Sequence, residues 1–228
     1  MLTLKHLKRL HLGFTVPPGP EAMLDWFEAL HASYIRNGEP TSPHVVLPDG
    51  RHATAAFNCE ALLCHGNLRE LAATALVIKL RQSGLSNIDG VFGSPRSTTL
   101  AADLGRLLWV PNYVVETAVG GGMVFRGGDL VPVGSVLLGV EASVRTLEVA
   151  ATAAGAILCG APNKVSFHPK VATIVYYPES LRTPAHENVM AIVEKEVAVW
   201  AEVDCPLCTQ GSQAIPLDGK DKAKLFAK

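Results

Sequence analysis

The chain has 228 residues, 48% of them hydrophobic, and a formal net charge of -1. That length and apolar share suffice to bury one good core and exclude a disordered or fibrous chain, while the charge excludes a whole-surface attraction to a polyanion, leaving only a local patch for any nucleic-acid contact. Five cysteines, an odd number, argue against a disulfide framework and for a reducing compartment, the cytoplasm by default. No run reaches the length of a membrane span, so no membrane partner is expected.

The first twenty residues carry no acid, and Lys5, His6, Lys8, Arg9 and His11 alternate with Leu2, Leu4, Leu7, Leu10 and Leu12. This reads as a basic amphipathic helix, with organelle targeting as the alternative. Residues 1 to 40 read as helical, interrupted at Pro17, Gly19 and Pro20 and resumed through Met23, Trp26, Phe27, Leu30 and Tyr34 to a stop at Gly38. "HVVLPDGRHATAAFNCEALL" then predicts a β-hairpin around Asp49-Gly50.

Helix and strand alternate from there. Leu68, Leu71, Ala72, Ala75, Leu76 and Leu80 share a helical face that ends at Gly84. "NIDGVFG" predicts a buried strand, "STTLAADLGRLL" a helix opening on Ser and Thr caps, "PNYVVET" a strand, and "VGGGMVFRGGDLVPVG" a mobile hairpin or loop. Strand "SVLLGV", helix "SVRTLEVAATAAGA", strands "AILCGA" and "VATIVYY", and a helix near 184 to 200 through Val189, Met190, Val193 and Val197 complete the pattern. Such alternation predicts βαβ units around a parallel sheet. The tail "DCPLCTQGSQAIPLDGKDKAKLFAK" reads as an extended arm with solvated lysines; nucleic acid or an acidic partner is the alternative for them.

Within the tail, Cys205 and Cys208 have the spacing of half a zinc site. Cys59, Cys64, His65, His168 and His186 are available as further ligands, but none forms a second paired motif, so no metal is assigned. His52 and His168 read as ordinary polar contacts.

The segments "HVVLPDGRHATAAFNCEALL", "IDGVFGSPRSTTLAADLGRLLWVP", "GSVLLGVEASVRTLEVAATAAGA" and "CPLC…GSQAIPL", in register over residues 44 to 217, resemble the type I phosphoribosyltransferases, specifically the orotate phosphoribosyltransferases. The resemblance implies an α/β fold: a parallel sheet flanked by helices, a small hood built partly from residues 1–43, a core over 44–203, a C-terminal arm over 204–228, and a homodimer with shared active sites. It also implies transfer of a base onto or off C1 of phosphoribosyl diphosphate, with Mg²⁺ on the diphosphate. That chemistry calls for paired strand-end acids for the ribose, a Thr/Gly-rich turn for the 5-phosphate, and a cationic loop where diphosphate leaves.

This chain departs from each element. Glu141 matches the first acid and Ala142 replaces the second, while the Thr-Thr-Gly turn is missing. Ser143, Arg145 and Thr146 remain as the phosphoribosyl remnant. The diphosphate loop reads Ser94, Pro95, Arg96, Ser97, Thr98, with Pro95 removing a donor. The catalytic loop supplies only Arg126, and in the hairpin a family lysine falls near Pro48 and an aromatic near Ala56, where Phe57 and Asn58 remain. For "GVEASVRT" two readings stand, a weakened phosphate site or a plain strand-to-helix turn with Ser143 as N-cap and Glu141 solvated. Four depleted elements predict a non-catalytic relative acting as a binding, regulatory or assembly subunit, with no cofactor. The alternatives are an active orotate-type enzyme using Mg²⁺ and, from the basic N-terminus and lysine tail, a nucleic-acid or nucleotide sensor.

Overall fold

The computed structural model describes residues 3–10, 16–85, 87–162 and 164–226. In chain order it has α1 (Leu4–Leu7), α2 (Pro20–Ala29), β1 (Ser33–Ile35), β2 (His44–Val46), β3 (His52–Ala53), β4 (Ala55–Phe57), α3 (Cys59–Leu63), α4 (Gly66–Gln82), β5 (Gly90–Gly93), α5 (Thr98–Leu108), β6 (Asn112–Thr117) and β7 (Met123–Phe125). There follow β8 (Ser135–Val144), α6 (Glu148–Gly160), β9 (Val165–Tyr176), β10 (Val189–Glu194), β11 (Val199–Trp200), α7 (Pro206–Thr209), β12 (Ala214–Pro216) and α8 (Ala223–Phe226).

A six-stranded sheet in the order β10-β9-β8-β5-β6-β7 forms the centre. All its pairings are parallel except that of β7, which folds back antiparallel on β6 at the edge. Residues along β8 alternate between two cores, as the pleat requires. Leu138, Val140 and Ala142 pack with residues of α2, α4 and α5, and Leu137 packs with Ala153 and Ile157 of α6 on the other face. Helices on both faces explain why the strands read as nearly unbroken apolar runs.

Two smaller sheets sit beside this layer: β1 pairs with β4, and β11-β3-β2-β12 form four strands in which β12 runs parallel to β2. Their core joins Val45, Leu47, Ala53, Ala55, Ala56 and Val197 to Ile215, Leu225 and Phe226. The C-terminal segment therefore docks as part of a packed sheet, and its extended reading applies to β12 alone, with α7 and α8 forming helical turns on either side; the apolar residues that hold it are too widely spaced to show a period. Lys220 and Lys224 stay exposed, as read.

Several sequence expectations are corrected. "AILCG" is the last turn of α6, since Ala156 and Ile157 continue the buried stripe of Ala150 and Ala153. The helix expected over 184 to 200 is a short 3-10 turn followed by β10 and β11. Its "VMAIV" run, buried on both faces, mimics a helical period. The helix expected through Gly38 ends at Ala29, and Ser33–Ile35 pairs as a strand. Helix α6 opens at Glu148, so Ser143 lies inside β8 and is not a cap. The N-terminal helix is the single turn α1, with Leu7 fully buried; its expected continuation through Leu2, His11 and Leu12 lies outside the described residues. The glycine-rich stretch forms the β6–β7 hairpin. Among the described residues no helix is long and apolar enough to cross a membrane.

Candidate functional site

A cleft of about 510 Å³ opens over the C-terminal ends of β5 and β8, where open parallel sheets place ligands. Glu141 and Ser143 of β8, Ser94 and Ser97 after β5, and Arg145 and Thr146 before α6 line it, with Arg96 beside them. Asp49 and Phe57 come from the hairpin region, and Leu217, Asp218, Lys222 and Phe226 come from the C-terminal segment.

The centre of the floor is a closed hydrogen-bond set. Glu141 is 3% exposed. Its Oε1 accepts from the Ser94 backbone N–H at 2.9 Å, and its Oε2 accepts from Ser94 Oγ and Ser97 Oγ, each at 2.6 Å. Ser97 Oγ in turn accepts from the Ala142 N–H at 2.9 Å. Burial pushes the Glu141 carboxyl above its ordinary range, and the bonds from Ser94 and Ser97 hold part of that rise back. The solvated Glu141 of the sequence reading is thereby corrected. A buried carboxylate requires donors, and the Ser94–Ser97 loop supplies them.

Gly93 makes this meeting possible. A Cβ there would lie 2.4 Å from the Val140 carbonyl oxygen, so only glycine lets β5 approach β8 closely enough for Ser94 to reach Glu141. Ser97 precedes α5 as expected but makes no side-chain cap, because its hydroxyl is turned to Glu141.

The backbone of 142 to 144 forms no cradle. Ser143 and Val144 pair with Val175 and Tyr176 of β9, and the Ala142 N–H is already bonded. The Ser143 side chain bonds Cys59 and Tyr177. Thr146 Oγ1 donates to Glu148 Oε2 at 3.1 Å. Arg145 pairs with Asp49, which also takes Arg51 at 2.9 Å, and Arg145 Nη1 is buried with no hydrogen-bond partner among the described residues. Burial opposes the charged form of Asp49, but the bonds from Arg51 and the charge of Arg145 outweigh it and hold the carboxyl below its usual value.

Arg96 lies at the rim, 82% exposed and 3.9 Å from Glu60, and Thr98 Oγ1 bonds the Pro95 carbonyl at 3.2 Å. Arg126 does not join the cleft. It is 73% exposed and lies 3.4 Å from Glu116 across the β6–β7 hairpin.

Mg²⁺ takes hard oxygen ligands, and two of the acids that line the cleft are already engaged. Glu141 is saturated by three donors, Ala142 offers no carboxylate, and Asp49 is held by two arginines.

A second cluster lies in the four-stranded sheet. Ligand atoms of His44, His52, Cys205 and Cys208 fall within 4.8 Å of one another. The tail cysteines read as half a metal site are thus joined by two histidines, one read as an ordinary contact and one overlooked, and by none of the five candidates weighed from sequence. The signal was the predicted hairpin: pairing of Val46 with His52 puts positions 44 and 52 diagonally on one face.

No family model matches the chain. Among curated proteins it is similar to the orotate phosphoribosyltransferase of Pelotomaculum thermopropionicum, 27% identical over 190 residues that cover 81% of this chain and 93% of the relative. The orotate phosphoribosyltransferase of Heliobacterium modesticaldum is 28% identical over 190 residues, covering 79% and 92%. Among solved structures, orotate phosphoribosyltransferase from Aeropyrum pernix matches with a TM-score of 0.56 at 17% identity, over 75% of this chain and 93% of the other. UMP synthase of Leishmania donovani matches with a TM-score of 0.58 at 11% identity over 80% of this chain; only 38% of that longer chain is covered. At these identities the solved structures speak for the fold.

Proposed function

We propose that this chain, which belongs to the type I phosphoribosyltransferase family and is related in sequence to the orotate phosphoribosyltransferases, is a non-catalytic member that serves as a binding, regulatory or assembly subunit. One observation carries the reading. The loop that would face a diphosphate gives the Ser94 N–H and the Ser94 and Ser97 hydroxyls to the chain's own Glu141 carboxylate. Donors already spent on an internal anion are withdrawn from an external one. Arg126, outside the lining and beside Glu116, adds no loop cation to the cleft of its own chain.

In this reading residues 44–203 carry the core, residues 1–43 contribute to a hood, and residues 204–228 form an arm that completes it. The chain assembles as a cytoplasmic homodimer, for which exposed Trp109, Leu130 and Val133 offer apolar contact surface.

A second reading, an active orotate-type enzyme with divergent loops, draws on Arg145. This guanidinium has a buried nitrogen with no hydrogen-bond partner among the described residues and lines the cleft with Arg96 and Lys222. Turnover separates the two. Given phosphoribosyl diphosphate, orotate and Mg²⁺, the purified protein should release no more diphosphate than it does without orotate. Orotate-dependent release proportional to protein concentration would establish the second reading in place of the first.

A further inference from the structure

The cluster of His44, His52, Cys205 and Cys208 has no part in the cleft chemistry, and its geometry is that of a ligand set. His44 Nε2 lies 2.9 Å from His52 Nδ1, 3.5 Å from Cys208 Sγ and 3.7 Å from Cys205 Sγ, while Cys208 Sγ lies 3.3 Å from His52 Nδ1. Zinc bonds of about 2.0 Å to nitrogen and about 2.3 Å to sulfur imply tetrahedral edges of about 3.3 to 3.8 Å. Three of these four edges fall in that range, the His44–His52 edge needs the imidazoles to part by a few tenths of an ångström, and the two edges from Cys205 to His52 and Cys208 lie within 4.8 Å.

Proton placement argues the same way. Ser212 Oγ donates its one proton to the Ser42 carbonyl at 2.7 Å, so towards His44 Nδ1, at 2.8 Å, it accepts. His44 therefore carries its proton on Nδ1 and presents a lone pair at Nε2. Without a metal, the His52 Nδ1–H and two thiols converge on that single lone pair, and the other acceptor within the thiols' reach is each other's sulfur, a weak one. With a metal, two imidazole lone pairs and two thiolates each find one bond, and Ser212 is the outer partner that fixes the His44 tautomer. His44, His52 and Cys205 are buried, and Cys208 opens to solvent as the path by which an ion arrives.

We propose that His44, His52, Cys205 and Cys208 form a closed structural zinc site that clamps the C-terminal segment to the β2–β3 hairpin. Two thiolates and two imidazoles in tetrahedral array suit zinc, and four protein ligands leave no open position, which makes the role structural. The clamp is well placed to matter. Immediately beyond Cys208 come Ser212, then β12 on β2, then Leu217, Asp218, Lys222 and Phe226, which wall the cleft. Metal binding would thus organise the cleft from a distance, in a chain whose hairpin and tail are separated by some of its longest sequence intervals.

The test uses the full-length chain, purified without a metal-binding tag. Metal analysis should find one zinc per chain. Cobalt(II) exchanged for zinc should show the visible absorption of a tetrahedral ion together with a thiolate-to-cobalt charge-transfer band. Both signals should vanish in Cys208→Ser and persist in Cys64→Ser and Cys159→Ser, whose cysteines lie on the surface elsewhere. Removing zinc should raise amide exchange several-fold in residues 205–217. If Cys208→Ser does not fold, the cobalt spectrum of the unaltered chain still decides. Zinc well below one per chain after reconstitution, a cobalt spectrum without the thiolate band, full zinc retention in Cys208→Ser, or a Cys205–Cys208 disulfide in the protein as isolated would each overturn the proposal.

Discussion

Ser97 Oγ donates to Glu141 Oε2 at 2.6 Å and accepts from the N–H of Ala142, the residue after that glutamate, at 2.9 Å. One hydroxyl thus closes a small ring between the loop before α5 and the end of β8. Two segments that sequence reading treats as separate anion-binding remnants satisfy each other.

Breaking the ring should cost stability. Ser97→Ala strips one donor from a buried carboxylate and leaves the Ala142 N–H without an acceptor, an expected loss of about 1–3 kcal/mol. Glu141→Ala orphans the Ser94 N–H and two hydroxyls for a loss of similar size. Because both variants damage one network, the double variant should lose less than the sum of the two. Denaturant melts of the four proteins measure this cycle.

The same carboxylate gives a pH dependence. Its folded-state value lies above the ordinary 4.5 because of burial, so the folded chain binds more protons at this site than the unfolded chain over the interval between the two values. The stability that this difference contributes is fully present below 4.5 and is lost as pH rises through the folded value. Unfolding free energy of the natural chain, minus that of Glu141→Gln, should therefore fall with rising pH over that interval. A flat difference would show that the carboxyl is not shifted.

Gly93 is the steric gate of the ring. In Gly93→Ala the new Cβ would meet the Val140 carbonyl oxygen at 2.4 Å, forcing β5 from β8 and drawing Ser94 off Glu141. The expected cost is ~1–3 kcal/mol from overpacking, with faster amide exchange at Ser94 as the local signature.

Thiol reactivity separates buried from exposed cysteines. Burial pushes the Cys59 thiol up to about 12, and its S–H donates to the Ala142 carbonyl at 3.3 Å. Only the thiolate is a good nucleophile. Iodoacetamide at neutral pH should therefore label exposed Cys64 and Cys159 in the native chain and reach Cys59 only after unfolding.

Much of this architecture is legible in sequence because local patterns match their surroundings. The α4 stripe ending near Gly84, the buried strand before Ser94 and the Asp49-Gly50 turn stand where periodicity and turn chemistry place them. Strand β10 misleads because five consecutive buried residues erase the alternation that marks a strand. The burial of Glu141 is not legible at all, since its donors lie 47 and 44 positions earlier and meet it only through sheet register. The Cys205–Cys208 pair is visible as half a cluster, but its partners are set by which residues of the β2–β3 hairpin share a face. Local motif spacing cannot carry that information.

If Glu141 holds the donors a diphosphate would need, calorimetric titration of the full-length chain with phosphoribosyl diphosphate and Mg²⁺ should show no saturable heat up to millimolar ligand. Saturable binding at one site per chain, weakened by Ser94→Ala or Ser97→Ala, would contradict it.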